Sequence, residues 1–191
     1  MDDETRVPEA ARLVRDFINT RELQLDEESL ATPADLQGWL AERRLLPPAV
    51  RLEPADLATA VTVREGLRAI LLENAGHSGD AAATSVLNEV FAELPLRMTF
   101  DSGAYRLVSA SSTPIGQAIG QLADAIRQCS EEGSWPRLKV CARDSCRWAF
   151  YDASRNQVRR WCSMTGCGNQ IKMRRAYAAR KDRVRQTAAG D

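Results

Sequence analysis

Four of the five cysteines form two pairs of identical spacing, Cys141/Cys146 and Cys162/Cys167, with four residues inside each pair and fifteen between the pairs. Two short turns with a cysteine at either end present two thiolates apiece. Brought together they make a tetrahedral all-sulfur metal site, for which zinc is the expected ion. Four cysteine ligands leave no open coordination position, so such a site is structural. Its apparent binding free energy, roughly 10–16 kcal/mol, is then the folding free energy of a segment too small to fold on its core alone. Four thiolates carry −4 and a divalent ion leaves −2, a charge that nearby cations and backbone N–H groups must compensate. Arg143, Arg147 and Arg160 are close enough in sequence to do so. Two disulfides, an iron–sulfur cluster and plain core cysteines are the competing readings, and the repeated spacing favours zinc. Cys129 stands apart inside an expected helix and reads as a buried apolar residue.

The elements that must position these cysteines are short. Leu138-Lys139-Val140 reads as a strand running into Cys141, and Arg147 to Tyr151 as the next strand. Ser154 is placed to cap a short helix through Arg160. Cys162 to Cys167 is the second turn, and a helix is expected from near Asn169 to about Arg185. A knuckle, a short β-element and a helix beginning at the last ligand describe a treble-clef-like zinc domain over residues 137–191.

Residues 1–136 read as a mostly helical domain with one small β-hairpin, which makes the fold class α+β. Ala10 to Ile18 carries apolar residues at helical spacing. Thr32-Pro33 opens a helix to about Arg43, Pro54 opens a long one to about Asn74 with Gly76 as its stop, and another is expected from Asp80 to about Glu93. Leu96, Met98 and Phe100, then Tyr105 and Leu107 beyond Ser102-Gly103, give the hairpin. Thr113-Pro114 begins a helix ended by Gly133, and Trp135-Pro136 marks the boundary between the domains.

The whole chain has 191 residues, 44% hydrophobic and 27% charged, the composition of a globular protein. No apolar run approaches the roughly 18 residues that span a bilayer. Met1-Asp2-Asp3-Glu4 is acidic and reads as no secretory signal, so a reducing cytoplasm is the expected compartment. The formal net charge is zero but segregated: residues 137–185 carry 14 Lys/Arg against 3 acids, and residues 1–136 carry 12 against 22. An acidic body with a basic tail domain is a statement about partners.

The stretch from Val140 to Arg180 resembles the CGNR zinc-finger proteins, which carry an N-terminal domain called ABATE. The resemblance rests on Cys141-Ala142-Arg143, Cys146-Arg147-Trp148, the run Phe150 to Asn156, Arg159-Arg160-Trp161-Cys162-Ser163-Met164 and Cys167-Gly168-Asn169. Asp16 to Thr20, and Thr32 to Leu36 with Trp39-Leu40, look like the ABATE pattern. The resemblance implies Cys141, Cys146, Cys162 and Cys167 as ligands of a structural Zn2+, and a stress-induced regulator of transcription. One residue departs from the pattern: the arginine that gives the family its name falls at Gln170, which lacks fixed charge and the forked donor geometry. If that arginine meets phosphate in the family, this member binds nucleic acid more weakly.

Candidate nucleic-acid contacts are Arg155, Arg159 and Arg160 before the second metal turn, then Asn169, Gln170, Lys172, Arg174 and Arg175 on the last helix, which continues with Arg180, Lys181, Arg183 and Arg185. Cations of this density suit phosphate, and the amides of Asn156, Gln157, Asn169 and Gln170 suit base edges. The bland reading gives Asn169 a capping role at the helix start. Trp148 and Trp161 read as a mini-core beside the metal, with Tyr151 the better candidate for exposure. DNA is the expected partner and a homodimer a candidate assembly. RNA, or an acidic protein docked on the basic domain, is the alternative, and no effector is assigned. His77, the only histidine, lies in a Gly76-His77-Ser78-Gly79 turn, and no catalytic set is visible, so an enzyme is the least supported class. Asn19, Thr20, Arg21, Arg64 and Arg68 could line an anion pocket. The stronger reading ends the first helix at Asn19-Thr20 and leaves Arg64 and Arg68 on a solvated face.

Overall fold

Small polar residues and prolines set the helix starts, as the sequence predicts. At Thr32 the side chain accepts from Asp35 N–H and the Asp35 carboxylate accepts from Thr32 N–H in return; at Glu53 the backbone N–H donates to Asp56 Oδ2 while Asp56 N–H donates to Glu53 O. Proline follows each cap, with φ already helical and no N–H to leave unsatisfied. The computed structural model describes residues 6–174 and Tyr177. The helices are α1 (Glu9–Ile18), α2 (Pro33–Glu42), α3 (Pro54–Asn74), α4 (Ala81–Ala92) and α5 (Pro114–Glu131). The strands β1 (Arg21–Glu22), β2 (Glu27–Glu28), β3 (Leu96–Asp101), β4 (Ala104–Ser109), β5 (Leu138–Val140) and β6 (Ala149–Tyr151) pair antiparallel in three two-stranded sheets.

The core is built around α3, against which α1, α2, α4 and α5 pack. Phe17 and Ile18, Leu36 and Leu40, Leu67 and Leu71, and Leu122 are fully buried. Gly66 lets α4 approach α3 closely: a Cβ there would lie 2.7 Å from Cβ of Leu87. Leu138, Val140 and Ala149 belong to the same cluster, so β5 and β6 carry the cysteine turns directly on the helical body. Cys129 is buried in α5, where burial pushes its thiol pKa up.

Three local expectations change. The β1–β2 hairpin between α1 and α2 was not foreseen. The helix expected from Ser154 to Arg160 is absent: the buried Asp152 carboxylate accepts from the backbone N–H groups of Ser154 and Arg159 and from Ser154 Oγ, and Gln157 sits at φ 51°. These bonds to Asp152 replace the helical ladder. The helical turn of the second cysteine pair begins at Met164, wide-wound through Gly168, and passes into regular helix at 169–174. Its cap is Ser163, whose Oγ accepts from Gly166 N at 3.1 Å. Asn169 instead donates from Nδ2 to Thr165 O. The expected course of the last helix beyond Arg174 lies, Tyr177 apart, outside the described residues.

Candidate metal centre

The four predicted cysteines converge. All four Sγ atoms lie within 4.8 Å of one another, with Cys146–Cys162 at 3.7 Å and Cys162–Cys167 at 3.8 Å. A tetrahedron with zinc–sulfur bonds of about 2.3 Å has edges of about 3.8 Å. The donor set therefore fits Zn2+. The sulfurs are too far apart for disulfides, which hold them at about 2.0 Å. Thiols this close cannot all ionise unaided. Hydrogen bonds from Cys146 and Cys162 hold the Cys141 thiol down to about 2, while the bond from Cys141 pushes Cys146 up to about 12 and Cys162 higher still. A divalent cation removes that conflict, since it binds every sulfur as thiolate.

Local backbone shapes the two turns. Cys146 N donates to Arg143 O at 2.9 Å to close the first, and Gly168 N donates to Ser163 O at 3.0 Å in the second. Ala142 N–H donates to Arg160 O at 2.8 Å and ties one turn to the other. Trp148 and Trp161 pack against the sulfurs as predicted. Tyr151 is half-buried against the main core rather than exposed.

Of the three arginines expected to offset the thiolate charge, Arg143 reaches a sulfur, with Nη1 3.8 Å from Cys167 Sγ. Arg147 pairs with Asp144, and Arg160 meets His77, its Nη2 3.3 Å from Nε2. Burial and the charges of Arg160 and Arg147 lower the His77 pKa. Backbone N–H groups of Arg143 and Cys162 meet Cys141, and that of Trp148 meets Cys146; a further donor comes from a residue that sequence reasoning missed. Gln24, in the β1–β2 turn, donates from Nε2 to Cys146 Sγ at 3.2 Å and accepts from Arg143 Nη1 on Oε1 at 3.0 Å. One amide thus touches a ligand sulfur and orients the cation beside another.

The residues weighed as an anion pocket serve the protein instead. Arg64 and Arg68 are 3% and 6% exposed, which overturns the solvated-face reading. Their shared side of α3 faces β1, β2 and residue 147. Arg64 forms a two-pronged pair with Glu28 (2.7 and 2.8 Å), and Arg68 donates to the carbonyls of Ile18 at 2.7 Å and Arg147 at 2.9 Å. Asn19 ends α1 as predicted and also pairs with Ala149 in both directions, Nδ2 to O at 2.9 Å and N to Oδ1 at 2.8 Å, which mimics a neighbouring strand.

A buried ion pair lies behind the centre. Lys139 Nζ donates to Asp152 Oδ2 at 2.9 Å, and the two side chains are 5% and 0% exposed. Burial works to raise the Asp152 pKa, but hydrogen bonds from Ser154, Lys139 and Arg159 outweigh it and leave it lowered. Lys139 also donates to Gln157 O at 2.5 Å. This part of the basic excess is therefore structural.

Among the other candidate contact residues, Arg155, Arg160, Asn169, Gln170, Lys172 and Arg174 are exposed. Arg159 is half-buried, with its guanidinium 5.2 Å from the Phe150 ring centroid and Nη2 donating to Cys162 O at 2.9 Å. Arg175 lies outside the described residues.

A helical body carrying a small four-cysteine zinc domain at its C-terminal end is the class that fold and site define. Comparison with known families agrees: residues 137–181 match the CGNR zinc finger, and residues 11–144 match ABATE, described as "Putative stress-induced transcription regulator". The chain belongs to the ABATE family. The two matches overlap across β5 and Cys141, where the body and the metal segment share one core. No curated protein matches the chain in sequence. The two descriptions name a zinc finger and a regulator, and no described helix is long and apolar enough to cross a membrane.

Proposed function

We propose that this protein is a DNA-binding transcription regulator, in which residues 137–191 read the duplex and residues 1–136 sense or assemble. One observation carries the reading: Arg155, Arg160, Gln170, Lys172 and Arg174 are all exposed beside the four-cysteine turns, in a part of the sequence that holds 14 Lys/Arg and 3 acids between residues 137 and 185. Zinc does no chemistry on DNA here; it fixes the backbone on which those side chains are mounted. Arg159 supports the second cysteine turn from beneath through its bond to Cys162 O. Lys172 and Arg174 supply phosphate contacts, and Gln170 and Asn169 stand where amides can meet base edges.

Because β5 and β6 lie in the body's core, the test uses the full-length, zinc-loaded chain. Fluorescence anisotropy with duplex DNA at two salt concentrations should show affinity falling steeply as salt rises. Lys172→Glu and Arg174→Glu should each weaken binding, and Gln170→Arg should tighten it. No salt-sensitive affinity for any duplex would end this reading. If the same charge reversals left DNA binding intact but broke a protein complex, the basic surface would be a protein-docking face instead.

A further inference from the structure

We propose that β3 is a dimerisation edge: two copies of this chain pair their β3 strands antiparallel about a two-fold axis at Thr99, joining two hairpins into one four-stranded sheet. The inference is independent of DNA binding. All six β3 residues are exposed, Met98 at 55% and Phe100 at 77%. A six-residue edge carrying apolar side chains invites strand addition unless something covers it.

The hydrogen-bond phase of the hairpin is fixed. Asp101 opposes Ala104 across a two-residue turn, with Ser102 and Gly103 at φ 50° and 84°. Bonded and non-bonded pairs then alternate. Leu107, opposite Met98, sends its N–H away from β3 to Asp124 Oδ1 at 2.8 Å. By the same alternation Leu96, Met98 and Phe100 turn their N–H and C=O groups outward, toward the open edge. Tyr105 and Leu107 share the inner face with Phe100 and Met98, while Arg97, Thr99 and Asp101 share the outer face.

Antiparallel self-pairing about a two-fold must bring outward-facing residues opposite one another, so the axis passes through a residue and not between two. An axis at Met98 sets Arg97 against Thr99, and one at Phe100 sets Thr99 against Asp101. Only the axis at Thr99 places Arg97 opposite Asp101 of the second copy, twice, and Met98 opposite Phe100 of the second copy, twice. Neither Arg97 nor Asp101 has an ion-pair partner among the described residues. The strand is therefore complementary to itself in charge, in apolar surface and in hydrogen-bond phase.

Sedimentation velocity of the full-length, zinc-loaded chain tests this. The expected result is a concentration-dependent exchange between the 21.1 kDa monomer and a species of twice that mass. Arg97→Asp or Asp101→Arg alone sets like charges opposite and should weaken association roughly tenfold, while the double charge swap should restore it. Met98→Lys should give monomer with an unchanged circular dichroism spectrum, since that side chain is exposed. Amide exchange at Met98 and Phe100 should slow as the protein is concentrated. A chain that stays monomeric throughout its soluble range, a double swap that fails to restore, or a dimer that persists in Met98→Lys would each overturn the proposal.

Discussion

Between α1 and α5 the buried side chains are mostly apolar, Phe17, Leu36, Leu67, Leu71 and Leu122 among them; between β5 and the second cysteine turn they include Cys141, Cys146, Lys139, Asp152 and Cys167. The first region is held mainly by apolar area that needs no particular partner, with Arg64 and Arg68 as its buried, partnered exceptions. The second is held by groups that are costly to bury unless each meets its complement: thiolates on a metal, an ammonium on a carboxylate. The contrast teaches that the metal segment is not a free-standing finger. Its apolar strands β5 and β6 rest on the body, and body side chains close its polar network: Asn19 on Ala149, Gln24 on Cys146, Arg68 on Arg147.

Removing the metal should break the contrast most severely. A chelator at neutral pH should cost the segment from Cys141 to Cys167 on the order of 10 kcal/mol, while α1, α3 and α5 stay folded. Amide exchange should then become fast across the cysteine turns and remain slow at Leu67 and Leu122; uniform loss of protection would show that the two regions stand or fall together. Next in size is Asp152→Ala, which strands the Lys139 ammonium in the interior. Urea denaturation should show a loss of about 3–5 kcal/mol, and a matched apolar replacement of both residues should recover most of it.

Gln24→Leu sharpens the comparison from the body's side. It removes the N–H donor to Cys146 and the acceptor for Arg143 without creating a void, so zinc affinity should fall about 10–100-fold in a competition titration, with helix content unchanged. The smallest effect is pH dependence within the body. Burial opposes ionisation of Glu28, but its bonds to Arg64 and to the Leu30 N–H prevail and leave its pKa below 4.5. Asp124 is likewise held below 3.8: burial would raise it, and Arg127, Leu107 N–H and Gln128 outweigh burial. Both depressed carboxylates contribute stability that is present above their ordinary values and is lost as pH falls through the folded ones. Glu28→Gln should flatten the acid limb of the stability profile, measured by thermal melts below pH 5.

The amino-acid sequence alone determined whatever depends on neighbours in the chain. The cysteine spacing announced an all-sulfur site, because two short turns suffice to present four thiolates. Thr32-Pro33, Pro54 and Thr113-Pro114 announced helix starts, because a cap is a local bond. The charge excess of residues 137–185 is a property of composition. Tertiary structure decided what side chains do when a distant segment arrives. Arg64 and Arg68, spaced as a solvated face would be, became the buried supports of β2 and residue 147. Lys139 and Asp152, which the charge count of residues 137–185 simply included, became an internal pair whose hold on residues 154–159 displaced an expected helix. Asn19 and Gln24 meet partners 130 and 122 residues further along. Neither spacing nor propensity encodes such meetings, because they are fixed only when the apolar faces of α1, α3 and β5 have chosen one another.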